Sequence, residues 1–279
     1  MILQTASNGS VPSSPLIKWP GGKRALIPEL LKHTPINYKN YYEPFFGGGA
    51  LFFFLQPASA FLSDLNADLI NCYKLVKEKP EEIISALGRY KNTEEYYYRV
   101  RSSAPRTEIY QAARLLYLTR LSFNGIHRVN LRGRFNVPYG KKTHLECVDS
   151  ALLRSASTSL KNARLMAGDF EETTVNAGPG DFVYFDPPYT VAHANNGFVK
   201  YNEHIFSWAD QVRLAEHARR LAKKGCHVLV SNADHKSVLE LYEDAACVTI
   251  WRHSVIAASS SHRRKITESL FIFGRNQID

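Results

Sequence analysis

The stretch Asn40-Tyr41-Tyr42-Glu43-Pro44-Phe45-Phe46-Gly47-Gly48-Gly49-Ala50-Leu51-Phe52-Phe53-Phe54-Leu55 reads as strand, glycine turn and helix in immediate succession. Asn40 to Phe45 carries aromatic residues suited to a pleated strand, three glycines permit a tight turn, and Ala50 to Leu55 is a short apolar helical run. That order opens an α/β sheet. Ser59 to Asp64 reads as a second short strand with Asp64 at its C-terminal end, where open α/β sheets bind ligands. Asp64 follows Gly47 by 17 residues, close to the spacing at which an acid after strand two meets ribose hydroxyls. A flexible loop and a helix-capping aspartate would carry the same letters.

Downstream the sheet pauses. From Asn66 to Leu121 the pattern is helical, punctuated by Pro80, Gly88 and Pro105, with Tyr, Arg and Lys at its surface positions. Phe123 to Gly140, with Gly125 and the turn candidate Arg132-Gly133, reads as a loop followed by a hairpin. Strand-like runs return at Ala163 to Ala167, Asp181 to Phe185, His227 to Val230, Val248 to Trp251 and Leu270 to Phe273, with a helix from Ala209 to Lys223. With the first two runs they make about seven strands. The expected organisation is a loose Ser-, Pro- and Asn-rich tail over 1–15, a main domain from 16–64 and 160–279, and an insertion over 65–159.

The 279 residues are 44% hydrophobic, enough for one large core with a smaller inserted domain and too apolar for a disordered chain. Lys and Arg total 35 against 26 Asp and Glu, and the resulting charge of +9 favours a polyanionic partner. Cys72, Cys147, Cys226 and Cys247 lie too far apart for a zinc or redox motif, which fits a reduced, cytoplasmic chain. No apolar run approaches the roughly 20 residues of a membrane span, and the first residues lack a signal-peptide pattern, so no membrane partner is expected.

The sharpest chemical signal is Asp186-Pro187-Pro188-Tyr189, directly after the strand run ending at Phe185. An exocyclic amine on a purine is a poor nucleophile because its lone pair is delocalised into the ring. Hydrogen bonds from both its N–H groups to a carboxylate and a main-chain carbonyl localise that pair and favour attack. Asp186 supplies the carboxylate, Pro187 a carbonyl on a rigid turn, and Tyr189 a face on which a base can stack. An ordinary Pro-Pro turn with a solvated Asp is the plain alternative. A further segment, Ile17-Lys18-Trp19-Pro20-Gly21-Gly22-Lys23, exposes backbone N–H groups at its glycines and brings a cation and a flat apolar wall. It suits a ligand with a free carboxylate, or equally a surface turn with a half-buried Trp.

These motifs coincide, in order, with those of a known family. The chain resembles Dam-type, D12-class DNA adenine-N6 methyltransferases from Leu16 to Phe273, through Glu43-Pro44-Phe45, Leu62-Ser63-Asp64-Leu65-Asn66, Asp186 to Tyr189 and Val230-Ser231-Asn232. The block Arg120-Leu121-Ser122-Phe123-Asn124-Gly125, continuing through Arg128 to Asn130-Leu131-Arg132-Gly133 and Phe135-Asn136-Val137-Pro138, looks like that family's target-recognition hairpin. The resemblance implies an α/β, Rossmann-like S-adenosylmethionine-dependent methyltransferase sheet with an inserted helical and β-hairpin DNA-recognition domain. It implies a methyl transfer to N6 of a flipped adenine in duplex DNA, in GATC, with S-adenosylmethionine and no metal. It leaves solitary, restriction-modification and phage-borne roles open.

Residue by residue, the resemblance makes Asp186, Pro187, Pro188 and Tyr189 catalytic. Trp19, Lys23, Phe45, Gly47, Gly49, Asp64 and Asp186 match cofactor positions, with Lys23 at the methionine end and Asp64 at the ribose. Asp169 and Phe170 resemble the segment that edges and covers the cofactor adenine. Arg128 matches a guanine-reading arginine, whose fork suits guanine O6 and N7. Phe123 and Asn124 match residues that enter the duplex where the base leaves it. Phe123 stands where some relatives carry Tyr, and Ile126 where others carry Leu. His127 and Val129 are given no role. Arg132, Arg134, Tyr139 and Lys141, with Lys142, Arg263, Arg264 and Lys265, complete the candidate DNA contacts. A monomer, nucleoid-associated when bound to DNA, is expected.

Rival readings fit less of the chain. A nicotinamide dehydrogenase would need its third glycine at Phe52 and has no use for Asp186 to Tyr189. A silent DNA-binding protein needs no small-molecule site. A methyltransferase acting on cytosine N4 or a protein glutamine is nearer, although by family resemblance Asp in the first motif position favours adenine.

Overall fold

The computed structural model describes residues 14–130, 132–190, 206–253 and 265–274. In chain order its elements are α1 (Ile27–Leu31), β1 (Tyr41–Glu43), α2 (Ala50–Leu55), β2 (Ala60–Asp64), α3 (Ala67–Glu78), α4 (Pro80–Gly88), α5 (Glu94–Ser102), α6 (Glu108–Leu121), α7 (Ser150–Leu160), β3 (Ala163–Ala167), α8 (Phe170–Thr173), β4 (Phe182–Phe185), α9 (Trp208–Lys223), β5 (His227–Ala233), α10 (Lys236–Leu241), β6 (Ala246–His253) and β7 (Lys265–Phe273). Among the described residues there are thus seven strands, in a mixed α/β sheet. The chain divides into two compact units: Met1–Lys23 with Phe46–Asp169, and Arg24–Phe45 with Phe170–Asp279.

In the first unit β2 and β3 pair in parallel, Ala60 opposite Ala163 and Asp64 opposite Ala167. Phe46, Phe52, Phe53 and Tyr73 form an aromatic cluster beneath the glycine turn. The helical stretch resolves at its punctuation. Asn66 caps α3 by accepting from the Leu69 N–H, Pro80 takes the first position of α4, where its missing N–H costs nothing, and Thr93 caps α5. Helix α7 was not expected from the Ser-rich run that forms it. Its stripe is narrow, with Leu153, Ala156 and Leu160 buried, and Asp149 caps it through the Leu152 N–H.

The expected hairpin is less regular than a β-ribbon. Phe123–Gly125 is a short 3-10 turn with Asn124 in the left-handed region at φ 54°. Antiparallel pairing is confined to isolated bridges, Ser122 with Tyr139 and Val129 with Phe135. The turn-back is made by Asn130, whose side-chain oxygen accepts from the Arg132 and Arg134 N–H groups, both at 3.0 Å. Left-handed positions at Asn124 and Gly133, and Pro138 without an N–H, keep a continuous ladder from forming.

In the second unit β1, β4 and β5 run parallel, and β7 lies antiparallel between β5 and β6. Phe182 faces Tyr41 on one side and His227 on the other. All four residues of β4 are buried, as an inner parallel strand covered on both faces requires. Strands β6 and β7 are longer than their apolar runs suggested, because cross-strand pairing carries on from Ala246–Ile272 to His253–Lys265 through polar residues. Helix α9 begins one residue before the expected start, at a capping box made by Ser207 and Asp210. Of the expected tail, residues 1–13 lie outside the described residues, as do Arg263 and Arg264.

Asp181 ties this unit together just before β4. Its buried carboxylate accepts from the Asn40 N–H at 3.1 Å, the Asn40 side-chain amide at 2.9 Å and the Gly178 N–H at 3.0 Å. Asp181→Ala leaves three donors to find new partners, and a loss of about 1.5–3 kcal/mol is expected from urea unfolding midpoints. An unchanged midpoint would show that water replaces the carboxylate without cost.

Candidate active site

In the first unit the glycine turn is held from three sides. The Gly47 N–H donates to Asp64 Oδ2 at 2.9 Å, Tyr73 donates its hydroxyl to the Gly47 carbonyl at 3.1 Å, and the Phe46 N–H bonds the Ser63 carbonyl at 2.9 Å. The other Asp64 oxygen accepts from the Asn66 N–H at 2.9 Å. Burial raises the Asp64 pKa, and the bonds from Asn66 and Gly47 oppose that rise. Each carboxylate oxygen keeps a further lone pair for a ligand hydroxyl.

Gly47 sits at φ +48°, and a Cβ there would lie 2.8 Å from Trp19 Cδ1. The Trp19-Pro20-Gly21-Gly22 segment is a tight turn closed by the Gly22 N–H on the Trp19 carbonyl at 3.1 Å, with Gly21 at φ +79°. Proline second and a positive-φ glycine third make it a type II turn. Lys23 is buried, and its ammonium donates to the Gly21 carbonyl at 3.0 Å. This segment also packs on the loop that carries Gly125 and His127. Trp19 stacks on His127 with centroids 4.5 Å apart and planes at 17°, and His127 meets the Phe135 ring edge-on. Lys18 packs so closely on Gly125 that a Cβ there would lie 2.8 Å from its Cδ. Burial pushes the His127 pKa down to about 4, so the stacked ring is neutral near pH 7.

Elsewhere in the block Phe123 and Arg128 are exposed, and Asn124 and Ile126 are half-buried. Arg128 donates from Nε to Asn136 Oδ1 at 2.9 Å. Arg132, Arg134 and Lys141 are exposed. Tyr139 is buried, its hydroxyl donating to Asn92 at 2.6 Å, which gives it a packing role in this loop. Lys142 donates to the Arg120 carbonyl at 2.9 Å. Asp169 closes this unit, half-buried after β3.

In the second unit Asp186 follows β4 directly and is half-buried. The Tyr189 hydroxyl donates to Glu268 at 2.9 Å on β7 and lies 3.3 Å from the Ser231 hydroxyl on β5. Burial first, then the Glu268 and Asp186 charges, push the Tyr189 phenol well above its ordinary range, so it stays a donor. Gln211 on α9 donates to the Pro188 carbonyl at 3.2 Å, and Asn232 donates to Gln211 at 2.9 Å. Phe170 is buried, stacked on Phe45 at 5.6 Å with Phe185 and Phe206 edge-on or tilted around it, and the Arg213 guanidinium lies 4.6 Å over its ring.

A turn with a carboxylate and two prolines thus ends the buried parallel strand β4, and a glycine loop is anchored by an acid at the end of β2. The profile of the family described as D12 class N6 adenine-specific DNA methyltransferase matches residues 19–256. The chain belongs to that family. This methyltransferase is 42% identical over 264 residues to the type II methyltransferase M1.LlaDCHI of Lactococcus lactis subsp. cremoris, covering 91% of this chain and 93% of the relative. It is 35% identical over 242 residues to the type II methyltransferase M.MjaIII of Methanocaldococcus jannaschii, covering 78% and 84%. It is 31% identical over 263 residues to the DNA adenine methylase of Escherichia coli K12, covering 92% and 94%. The enzyme is thus an adenine-specific DNA methyltransferase of a family that uses S-adenosylmethionine. Among its described residues no helix is long and apolar enough to cross a membrane, and no three His, Cys, Asp or Glu side chains gather to hold a metal ion.

Three partners in the methyltransferase went unread in the sequence. Gln211, like His217, interrupts the apolar stripe of α9, Glu268 stands on β7 two residues before Leu270, and His127 sits at a position given no role. A polar residue at a core-periodic position was the available signal for the first two.

The packing of Trp19 on Gly47 is directly testable against Gly133, which has φ +70° but open space where a Cβ would stand. Gly133→Ala is expected to cost about 1–2 kcal/mol for the left-handed backbone alone, and Gly47→Ala more, because Trp19 must also move. Equal losses in chemical denaturation would show that Trp19 is not pressed against the turn.

Proposed function

We propose that this enzyme moves the methyl group of S-adenosylmethionine to N6 of an adenine flipped out of duplex DNA, with GATC as its recognition sequence. The observation that carries the reading is the Asp186-Pro187-Pro188-Tyr189 turn at the end of buried β4, braced by Glu268, Ser231 and Gln211. The adenine amine donates one hydrogen to the Asp186 carboxylate and the other to the Pro187 carbonyl, which localises the nitrogen lone pair. With its lone pair localised, N6 would take the methyl group that bound S-adenosylmethionine supplies, and Asp186 would accept the surplus N6 proton and pass it to water. Tyr189, its hydroxyl anchored, offers its ring to the flipped base.

S-adenosylmethionine supplies a methyl group on a sulfonium, which leaves readily without a metal. The donor set fits it: both Asp64 oxygens are oriented by backbone N–H groups and keep lone pairs for ribose hydroxyls. By family resemblance Trp19, Lys23, Phe45, Gly47, Gly49, Asp169, Phe170 and Asp186 complete the cofactor contacts, with Lys23 at the methionine carboxylate.

Residues 65–159 act as the target-recognition domain of a cytoplasmic monomer that associates with the nucleoid through DNA. Arg128 reads a guanine. Its Nε is committed to Asn136, so the fork it presents is the pair of terminal nitrogens. Phe123 and Asn124 enter the duplex, Ile126 packs beside them, and Arg132, Arg134 and Lys141 meet phosphates while Tyr139 supports the loop. The net charge of +9 suits that partner.

Mapping methylated adenines on plasmid DNA after incubation with the pure enzyme tests the reaction and the GATC assignment together. Asp186→Ala is expected to abolish methyl transfer while leaving the fold and DNA binding in place, and near-wild-type turnover would sink the amine-clamp mechanism. Arg128→Ala is expected to lose about 1–3 kcal/mol of discrimination at one base pair, read as kcat/KM on substrates changed one pair at a time. A uniform loss on every substrate would make Arg128 a backbone contact instead.

A further inference from the structure

Gln211 is completely buried on the inner face of α9, in a stripe otherwise built from Leu214, Ala215, His217, Ala218 and Leu221. The hydrogen bonds around it leave one way to orient its amide. The Ala233 N–H donates to Asn232 Oδ1 at 2.8 Å, so Asn232 turns its NH2 toward Gln211 and donates to Oε1 at 2.9 Å. With its oxygen engaged, Gln211 donates from Nε2 to the Pro188 carbonyl at 3.2 Å and to Thr190 Oγ1 at 3.1 Å. Thr190 passes its own hydrogen to the Phe206 carbonyl at 2.8 Å. Both hydrogens of the Gln211 amide and the hydrogen of the Thr190 hydroxyl face acceptors, which is what a buried polar network needs to be rigid.

The chain ends on the second proline of the amine-binding turn. Because a peptide unit is planar, fixing the Pro188 carbonyl fixes the plane from which Tyr189 leaves, and the far end of Tyr189 is pinned by Glu268. We propose that Gln211, held by Asn232, is a positioning residue for methyl transfer: it sets the direction of the turn that aims Asp186 and the Pro187 carbonyl at the target amine. The proposal rests on the reading of Asp186 to Tyr189 as the amine clamp. It assigns the buried Asn of Val230-Ser231-Asn232 the task of orienting Gln211.

Two variants of the full-length enzyme test it. Gln211→Met keeps length and removes both donors. It is expected to lower kcat about 10- to 100-fold, the cost of a misaimed reacting group, with KM for S-adenosylmethionine and for DNA within about twofold of wild type. Gln211→Glu can donate to Pro188 only while its carboxyl is protonated. Its kcat relative to wild type is therefore expected to fall as pH rises from about 6 to 9, as the buried carboxyl ionises. Taking the ratio to wild type cancels the pH response that both enzymes share through the groups around Gln211: Asp186, Tyr189 and Glu268 near the turn, and Asp210 on α9. The ratio for Gln211→Met should stay flat over the same range. Thermal midpoints are measured for both, and Gln211→Glu, whose single O–H keeps the bond to the Pro188 carbonyl when protonated, carries the test where Gln211→Met does not fold. A wild-type kcat in folded Gln211→Met, or a pH-independent ratio for Gln211→Glu, overturns the role of Gln211 while an inactive Asp186→Ala still supports the clamp. An active Asp186→Ala would overturn the clamp itself.

Discussion

The bond from the Gly47 N–H to the Asp64 carboxylate is the constraint on which the first unit's chemistry depends. It joins the start of the glycine turn to the end of β2 and holds Gly47 in a backbone conformation that side-chain-bearing residues avoid. That conformation brings Trp19 against the turn, and Trp19 in turn carries His127. Burial makes the charged form of Asp64 costly, and the two backbone N–H groups offset part of that cost while fixing where its lone pairs point. An acid oriented in this way is ready for hydroxyls without having to reorganise.

The second unit solves a different problem. A turn of two prolines has few hydrogen bonds of its own, since neither proline has an N–H. Its direction must come from neighbours, and here those neighbours arrive from β5, β7 and α9. Glu268 is nearly inaccessible yet ionisable, a costly residue in a strand unless it holds something, and it holds the Tyr189 hydroxyl. Ser231 and Asn232, wholly buried on β5, divide the work between Tyr189 and Gln211.

What the chain states locally was legible, and what it states by folding was not. Runs such as Ala50 to Leu55 and Ala163 to Ala167 carry their period and their boundaries within a few residues, and they form as read. The ends of β6 and β7 were read short, because pairing with the opposite strand, not apolarity, decides where they stop. Phe123 to Gly140 was read as a hairpin from its turn chemistry, which is present at Asn130, but no alternating buried face sustains a ladder there. Asp186, Pro187, Pro188 and Tyr189 stand out as a candidate site in the sequence because four adjacent residues hold the pattern. Gln211 and Glu268 lie 23 and 79 residues from their partners in that turn, and only the sheet and α9 bring them to it.

The Trp19 segment and the loop that carries His127 are likewise brought together only by folding. Trp19 and His127 lie far apart in sequence yet share a face-to-face stack, while Lys18 packs on Gly125 beside it. With its pKa near 4, His127 is neutral at physiological pH, so the stack is an apolar contact that salt does not screen. The phosphate contacts expected of Arg132, Arg134 and Lys141 are screened by salt. Raising ionic strength therefore weakens contacts made by exposed charges and leaves the Trp19–His127 stack intact, so the loop that carries His127 stays seated on the Trp19 segment.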